Sequence, residues 1–209
     1  MQISSATNVF INCPFDEPYL DMFRAVVFTV LYARCIPRCT LEGSDCGELR
    51  LNRIFRLIGE CPRAIHDVSR VELDEKTELP RFNMPFELGL FFGAKYFGGQ
   101  SCPERPCLIF QKKPHDHDLC LSDISGCDPV AHKNSVRTMI RRVWAWLRPG
   151  PVADEEKSAQ AVYELYRLFD KDFETFCRAR GDSYLRMPYE HYVHFTMNVS
   201  EWLRDNLPR

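Results

Sequence analysis

The sequence predicts an α/β fold: a doubly wound, mainly parallel sheet with a C-terminal helical extension. Three observations lead there. Short apolar segments of strand length alternate with longer segments whose apolar residues recur at helical spacing. The 209 residues suffice for one sizeable α/β domain and an added helical part. Pro149-Gly150-Pro151 then breaks the pattern ahead of amphipathic helices, which predicts a domain over residues 1–148 and an extension over 152–209.

The elements follow in order. Asn8–Cys13 reads as a strand, and Pro14–Pro18 as a loop. Tyr19–Ala33 reads as a helix with Leu20, Phe23, Val26, Val27, Val30 and Leu31 at helical spacing. Cys35–Thr40 is a second strand, and Pro37 within it predicts an edge position, because proline cannot donate to the ladder. After the loop Leu41–Gly47, Glu48–Glu60 is a helix with Leu49, Ile54, Leu57 and Ile58 inward. Arg63–Ser69 is a third strand, and a charged loop runs from Arg70 to Pro80. A mostly apolar helix over Arg81–Lys95 ends at Gly98-Gly99, and Pro106–Phe110 is a fourth strand. Lys112–Asp128 is polar and irregular. His132–Leu147, Asp154–Arg178 and Pro188–Asn206 read as helices, the second with Val162, Leu165, Phe169, Phe173 and Phe176 on one face. The C-terminal helices either pack on the sheet or offer a partner surface. Tyr189, His191, Tyr192 and His194 alternate in a way that a simple core helix does not explain.

Composition excludes several classes. A net charge of -2 argues against broad binding of nucleic acid or an anionic membrane, though not against a local basic pocket. Arg24 and Arg34 bracket the longest apolar run, so no membrane span is expected. The start Met1-Gln2-Ile3-Ser4-Ser5 lacks the basic and apolar regions of a secretory signal. The ten cysteines form no paired CxxC knuckles, and reduced thiols in a cytoplasmic protein are expected. His115-Asp116-His117-Asp118 is the best metal candidate, but a solvated loop is the better reading, so no metal is expected.

The residue that stands out is Glu87. It is one carboxylate among phenylalanines and leucines, and a buried carboxylate is costly without a partner. Acids in such company are functional-site candidates. Asn83, Glu87, Phe91 and Lys95 share a helix face, and Met84, Phe86 and Phe91 are expected to wall the carboxylate off from water. In doubly wound sheets ligands bind beyond the carboxyl ends of the strands, where Cys13–Asp16, Leu41–Gly47, Asp67–Arg70 and the start of the Glu87 helix should converge. Asp67 and Ser69 close the third strand and either accept from a ligand or cap the turn. Asn12 and Asp16 flank the end of the first strand, where backbone amides can hold a phosphate but no glycine-rich cradle is present. Arg81 is either a phosphate contact or a surface ion pair, and Asn83 either a ribose contact or an N-cap. Arg50 and Glu48 are assigned to the same crevice.

The string Arg81-Phe82-Asn83-Met84-Pro85-Phe86-Glu87-Leu88-Gly89, followed by Gly93 and Ala94, resembles the signature of bacterial TIR-like predicted nucleotide-binding domains. Its Glu-Leu-Gly core is also similar to that of nucleoside 2-deoxyribosyltransferases, and Val9-Phe10-Ile11-Asn12 resembles the first strand of either group. The resemblance covers roughly residues 8 to 111 and implies a TIR-like, flavodoxin-like domain. It implies cleavage of an N-glycosidic bond in a nucleotide, with NAD the family-level substrate and no separate cofactor. Glu87 is then the catalytic residue, and Asn12, Phe15, Asp16, Asp67, Ser69, Arg81 and Asn83 the substrate-binding set. The chemistry suits a single carboxylate near C1′, which can stabilise an oxocarbenium-like ribose, bind its hydroxyls or attack it. The resemblance further implies a bacterial defence or stress effector that works as a homo-oligomer. Two departures narrow it. The transferases carry an acidic residue where Arg81 stands, which favours an anionic nucleotide over a deoxynucleoside. The Ser and Trp-Cys that animal and plant TIR domains carry before the glutamate are absent.

Overall fold

A computed structural model describes residues 5–43, 45, 47–70, 72–73, 78–98, 104–119, 121–124, 126–147 and 157–206. The expected Pro149-Gly150-Pro151 linker, the start of the helix expected from Asp154, Gly99 and the loop positions 44, 46, 71 and 74–77 lie outside them. The fold is α/β and doubly wound. Its five strands are β1 (Asn8–Asn12), β2 (Ile36–Arg38), β3 (Arg63–Asp67), β4 (Cys107–Gln111) and β5 (Val130–Ala131), and they lie in the order β2-β1-β3-β4-β5. The helices are α1 (Leu20–Tyr32), α2 (Arg50–Glu60), α3 (Asn83–Phe97), α4 (Val136–Leu147), α5 (Ala159–Arg180) and α6 (Tyr189–Asn206). Backbone contacts divide the chain into two compact units, Met1–Pro14 with Pro37–Asn134, and Phe15–Ile36 with Ser135–Arg209.

The first unit holds the sheet. β1 pairs with β3, β3 with β4 and β4 with β5, all parallel. Every residue of β1 is buried, which is why Val9-Phe10-Ile11 is a continuous apolar run rather than an alternation. β2, with Pro37 at its centre, lies at one edge, where a missing donor costs least. Phe10 and Ala64 from β1 and β3 form one core with Ile54, Leu57 and Ile58 of α2 and Phe91 of α3. A second cluster joins Val68, Leu88 and Ile109. Asn8 closes the far end of β1 by donating through Nδ2 to the Glu60 carbonyl at 3.1 Å.

The structure departs from expectation between β4 and α4. Val130–Ala131 is a fifth strand, paired with Phe110 and Gln111. The helix expected from His132 begins at Val136, because Lys133 and Asn134 both have left-handed backbones, φ 52 and 54, which no right-handed helix accommodates. Asp116–Leu119 is a short 3-10 helix rather than a solvated loop. His117 anchors it: buried, it donates through Nδ1 to Gln111 Oε1 at 2.8 Å, and Gln111 in turn donates to the Pro129 carbonyl at 3.1 Å. Cys61 and Cys107 are thiols that burial pushes up to about 12, too high for a nucleophile at neutral pH.

The second unit is helical. α1 is buried from Met22 to Tyr32, Arg24 included. The Arg24 guanidinium lies 4.1 Å from the Tyr184 ring centroid and 5.3 Å from those of Phe173 and Tyr192, and it donates to the Tyr184 carbonyl. Planar, weakly hydrated guanidinium is the cation that such a ring cage tolerates best. Burial explains the alternation at the start of α6, Tyr189 packing on Phe23 and Tyr192 joining the cage. Tyr189 and Tyr192, one turn apart, are the buried pair, and the Tyr192 hydroxyl donates to the Arg24 carbonyl at 3.1 Å. His191 and His194 form the next stripe, which is exposed and lines a groove of about 390 Å³ with Phe173, Phe176 and Phe195. α5 is closed at both ends: the Ser158 side chain accepts from the Ala161 N–H, and Gly181 ends the helix at φ 72.

Candidate functional site

The sheet order reverses between β1 and β3: from β1 the chain runs to β2 on one side and returns to β3 on the other. In doubly wound sheets ligands bind beyond the carboxyl ends of the strands at such a reversal. Asn12 and His66 are register partners there. Asn12 Nδ2 lies 2.9 Å from His66 Nδ1 and donates to the Met84 carbonyl at 2.9 Å. A carbonyl can only accept, so the Asn12 amide presents its NH2 to both groups, and His66 Nδ1 must accept. His66 is therefore neutral with its proton on Nε2, packed 5.8 Å from the Phe10 ring and 5.3 Å from that of Phe91. Burial lowers its pKa to about 3. Asn12, a member of the expected substrate-binding set, uses its NH2 to tie the end of β1 to the first turn of α3.

One turn beyond Met84 stands Glu87. Pro85 is tolerated in this first turn because its missing N–H would have no partner there. The Glu87 side chain is 4% exposed, and the guanidinium of Arg50, 56% exposed, lies with Nη2 at 3.5 Å from its Oε1. Burial raises the Glu87 pKa, and the Arg50 charge pulls it back only in part. Met84 and Phe91 are buried as expected, but Phe86 is 53% exposed and forms no wall over the carboxylate. Positions 86 and 87 lie 100° apart around a helix, so a buried Glu87 turns Phe86 outward.

Asp67, at the end of β3, is 1% exposed. Its Oδ1 accepts from the Ser69 N–H at 2.8 Å, the turn-capping geometry. Its Oδ2 lies 3.3 Å from His132 Nε2. The Asn134 N–H donates to His132 Nδ1 at 2.9 Å, which leaves the imidazole proton on Nε2, facing the carboxylate. Arg81 and Asn83 are exposed where α3 begins, and Phe82, not Asn83, occupies the N-cap position. Glu48, expected on the helix, lies just ahead of α2 and turns to Arg53 at 2.7 Å and Arg56 at 3.3 Å, so of Glu48 and Arg50 only Arg50 meets Glu87. Phe15 and Asp16 belong to the second unit. Phe15 packs edge-on against Phe23 at 5.2 Å, and Phe15 and Asp16 line an open pocket of about 480 Å³ with Leu20, Ser183, Leu185 and Arg186.

Asn12, Asp67, Ser69 and Glu87 are thus buried in the first unit, with Arg81 and Asn83 exposed on it. His66 and His132 were not singled out by sequence. His66 sits inside an apolar strand, and its sole signal is a titratable residue beside Asp67. His132 follows a two-residue strand with no periodicity of its own. Among the described residues, no group of three or more His, Cys, Asp or Glu side chains is gathered to hold a metal ion, and no helix is long and apolar enough to cross a membrane. No protein-family model matches the chain, and no curated protein matches it as a relative.

Proposed function

We infer that this protein is a nucleotide N-glycosidase, with Glu87 acting at ribose C1′ and NAD the first substrate to test. The observation that carries the reading is a carboxylate with 4% exposure, on the helix bound to the end of β1 and faced by a cation. A carboxylate in that setting is stripped of water, so its field on a developing oxocarbenium ion is stronger than in solution. In NAD hydrolysis the oxygen of water bonds to C1′ as the C1′–N bond breaks; nicotinamide takes the bonding electron pair and leaves neutral, and the water's proton passes to solvent, whereas the base of an uncharged N-glycoside leaves with that proton. The Arg81-to-Gly89 motif and its resemblance to TIR-like domains point the same way.

A second reading, a nucleotide-binding sensor, is supported by the Arg50 contact. A carboxylate already paired with a cation can accept ribose hydroxyls without attacking C1′. Product analysis by mass spectrometry separates the two. NAD, NADP, ATP and deoxynucleosides are each incubated with wild type and Glu87→Ala at high protein concentration. Free base from wild type alone establishes the glycosidase and names its substrate. Intact nucleotides in both, with one of them raising the wild-type melting temperature, establishes the sensor.

A further inference from the structure

Arg50 opens α2 with its guanidinium half in solvent, while the carboxylate it faces is buried. The two partners are therefore unequal. The contact is long, 3.5 Å, and the half-exposed Arg50 guanidinium can rotate outward into water, provided that the buried carboxylate it leaves takes up a proton. Glu87 is fixed on α3 and cannot follow it. An anion arriving from solvent meets Arg50 first, and the guanidinium fork suits phosphate oxygens.

We propose that Arg50 is the anion-reading residue of the Glu87 site: a phosphate group of the ligand takes its guanidinium, which exchanges Glu87 for the phosphate. The inference rests on the reading of Glu87 as the site's carboxylate and adds the ligand chemistry. It makes phosphate binding and proton uptake by Glu87 linked events. The charged and titratable groups on the elements packed against α3 leave this role to Arg50. Glu48, just before α2, pairs with Arg53 and Arg56 of that helix, and Glu60 at its end pairs with Arg38. On β3, Arg63 stands at the opposite end of the strand, level with Val9, His66 is neutral, and Asp67 is engaged by Ser69 and His132. β1 brings Asn12, which is neutral. Once the Arg50 charge is drawn off, burial alone acts on Glu87 and favours its protonated form. That form donates a hydrogen bond, which the ionised form cannot.

The test uses the full chain and inorganic pyrophosphate. The Glu87 carboxyl ¹³C resonance, assigned by its loss in Glu87→Gln, is titrated with pH in wild type, Arg50→Ala and Arg50→Lys. Pyrophosphate should raise the wild-type midpoint. Arg50→Ala should raise it without ligand, bind pyrophosphate about tenfold more weakly or worse, and show no further rise. Arg50→Lys should keep part of the response. Equal midpoints in wild type and Arg50→Ala, or a full pyrophosphate response in Arg50→Ala, would overturn the proposal. No turnover enters this readout. A pyrophosphate response without nucleotide cleavage keeps the anion role and sinks the glycosidase; cleavage without the response does the reverse.

Discussion

Asp67 Oδ2 faces His132 Nε2 at 3.3 Å, joining the end of β3 to the left-handed turn that follows β5. The two residues are 65 positions apart in sequence and fully buried. Each accepts a backbone hydrogen bond that fixes its orientation, from the Ser69 and Asn134 N–H groups respectively.

Replacing Asp67 by Asn should expose that dependence. The amide can still accept from Ser69, but its NH2 then faces the His132 Nε2 proton, and the imidazole can adapt only by giving up the Asn134 N–H. We expect a loss of about 1–3 kcal/mol in urea unfolding, the cost of one unsatisfied buried polar group. A ¹⁵N spectrum of His132 should report the change of tautomer. An unchanged unfolding midpoint would mean that the contact contributes nothing.

Glu87→Gln should separate activity from stability. If Glu87 stabilises the transition state, base release should fall by about two to three orders of magnitude. Stability should move the other way. The folded carboxyl titrates above the unfolded one, so between the two values the native state holds a proton that the unfolded chain lacks. Stability is lost as pH rises through that window and stays lower above it. Gln removes the buried charge, so the variant should unfold at higher urea than wild type at pH 8 and not at pH 4.

His66 gives the opposite slope. Its folded pKa of about 3 lies below the unfolded value, about 6.5. As pH falls below about 6.5 the unfolded chain takes a proton that the native state refuses, so stability falls until about pH 3. Each unit is worth about 1.4 kcal/mol. Between pH 6.5 and 5, His66→Gln should gain about 2 kcal/mol relative to wild type. A difference independent of pH would mean that His66 is protonated in the folded protein.

Gly181→Ala tests the end of α5. The backbone there is left-handed at φ 72, and a methyl group would meet nothing within 4 Å. The cost is then backbone strain alone, about 1–2 kcal/mol, read as a lower melting temperature. A larger loss would reveal a contact that the open space does not predict.

The strands and helices were legible wherever the pattern was long. β1 and β3 read correctly because a strand buried on both faces is apolar throughout, and α5 because its stripe recurs over six turns. β5 was not legible, since two residues have no period. The start of α4 was misread because nothing local distinguishes His132 as a sheet-end residue from His132 as a helix start; the left-handed Lys133 and Asn134 make that difference. In the site, Glu87 was legible as a carboxylate in apolar company. Its distance from Arg50, the outward turn of Phe86 and the use of the Asn12 amide inside the fold were not.

Local order in the chain therefore accounts for the α/β alternation, the edge placement of β2 and the choice of Glu87. Each depends on the period of neighbouring residues or on one residue's own chemistry, and both are written along the chain. The Asn12 bonds to His66 and Met84, the Asp67–His132 contact and the Arg50–Glu87 pair arise only on folding, because they join residues 37 to 72 positions apart. Sheet order brings such residues within reach, and burial then selects which of their polar groups must satisfy one another.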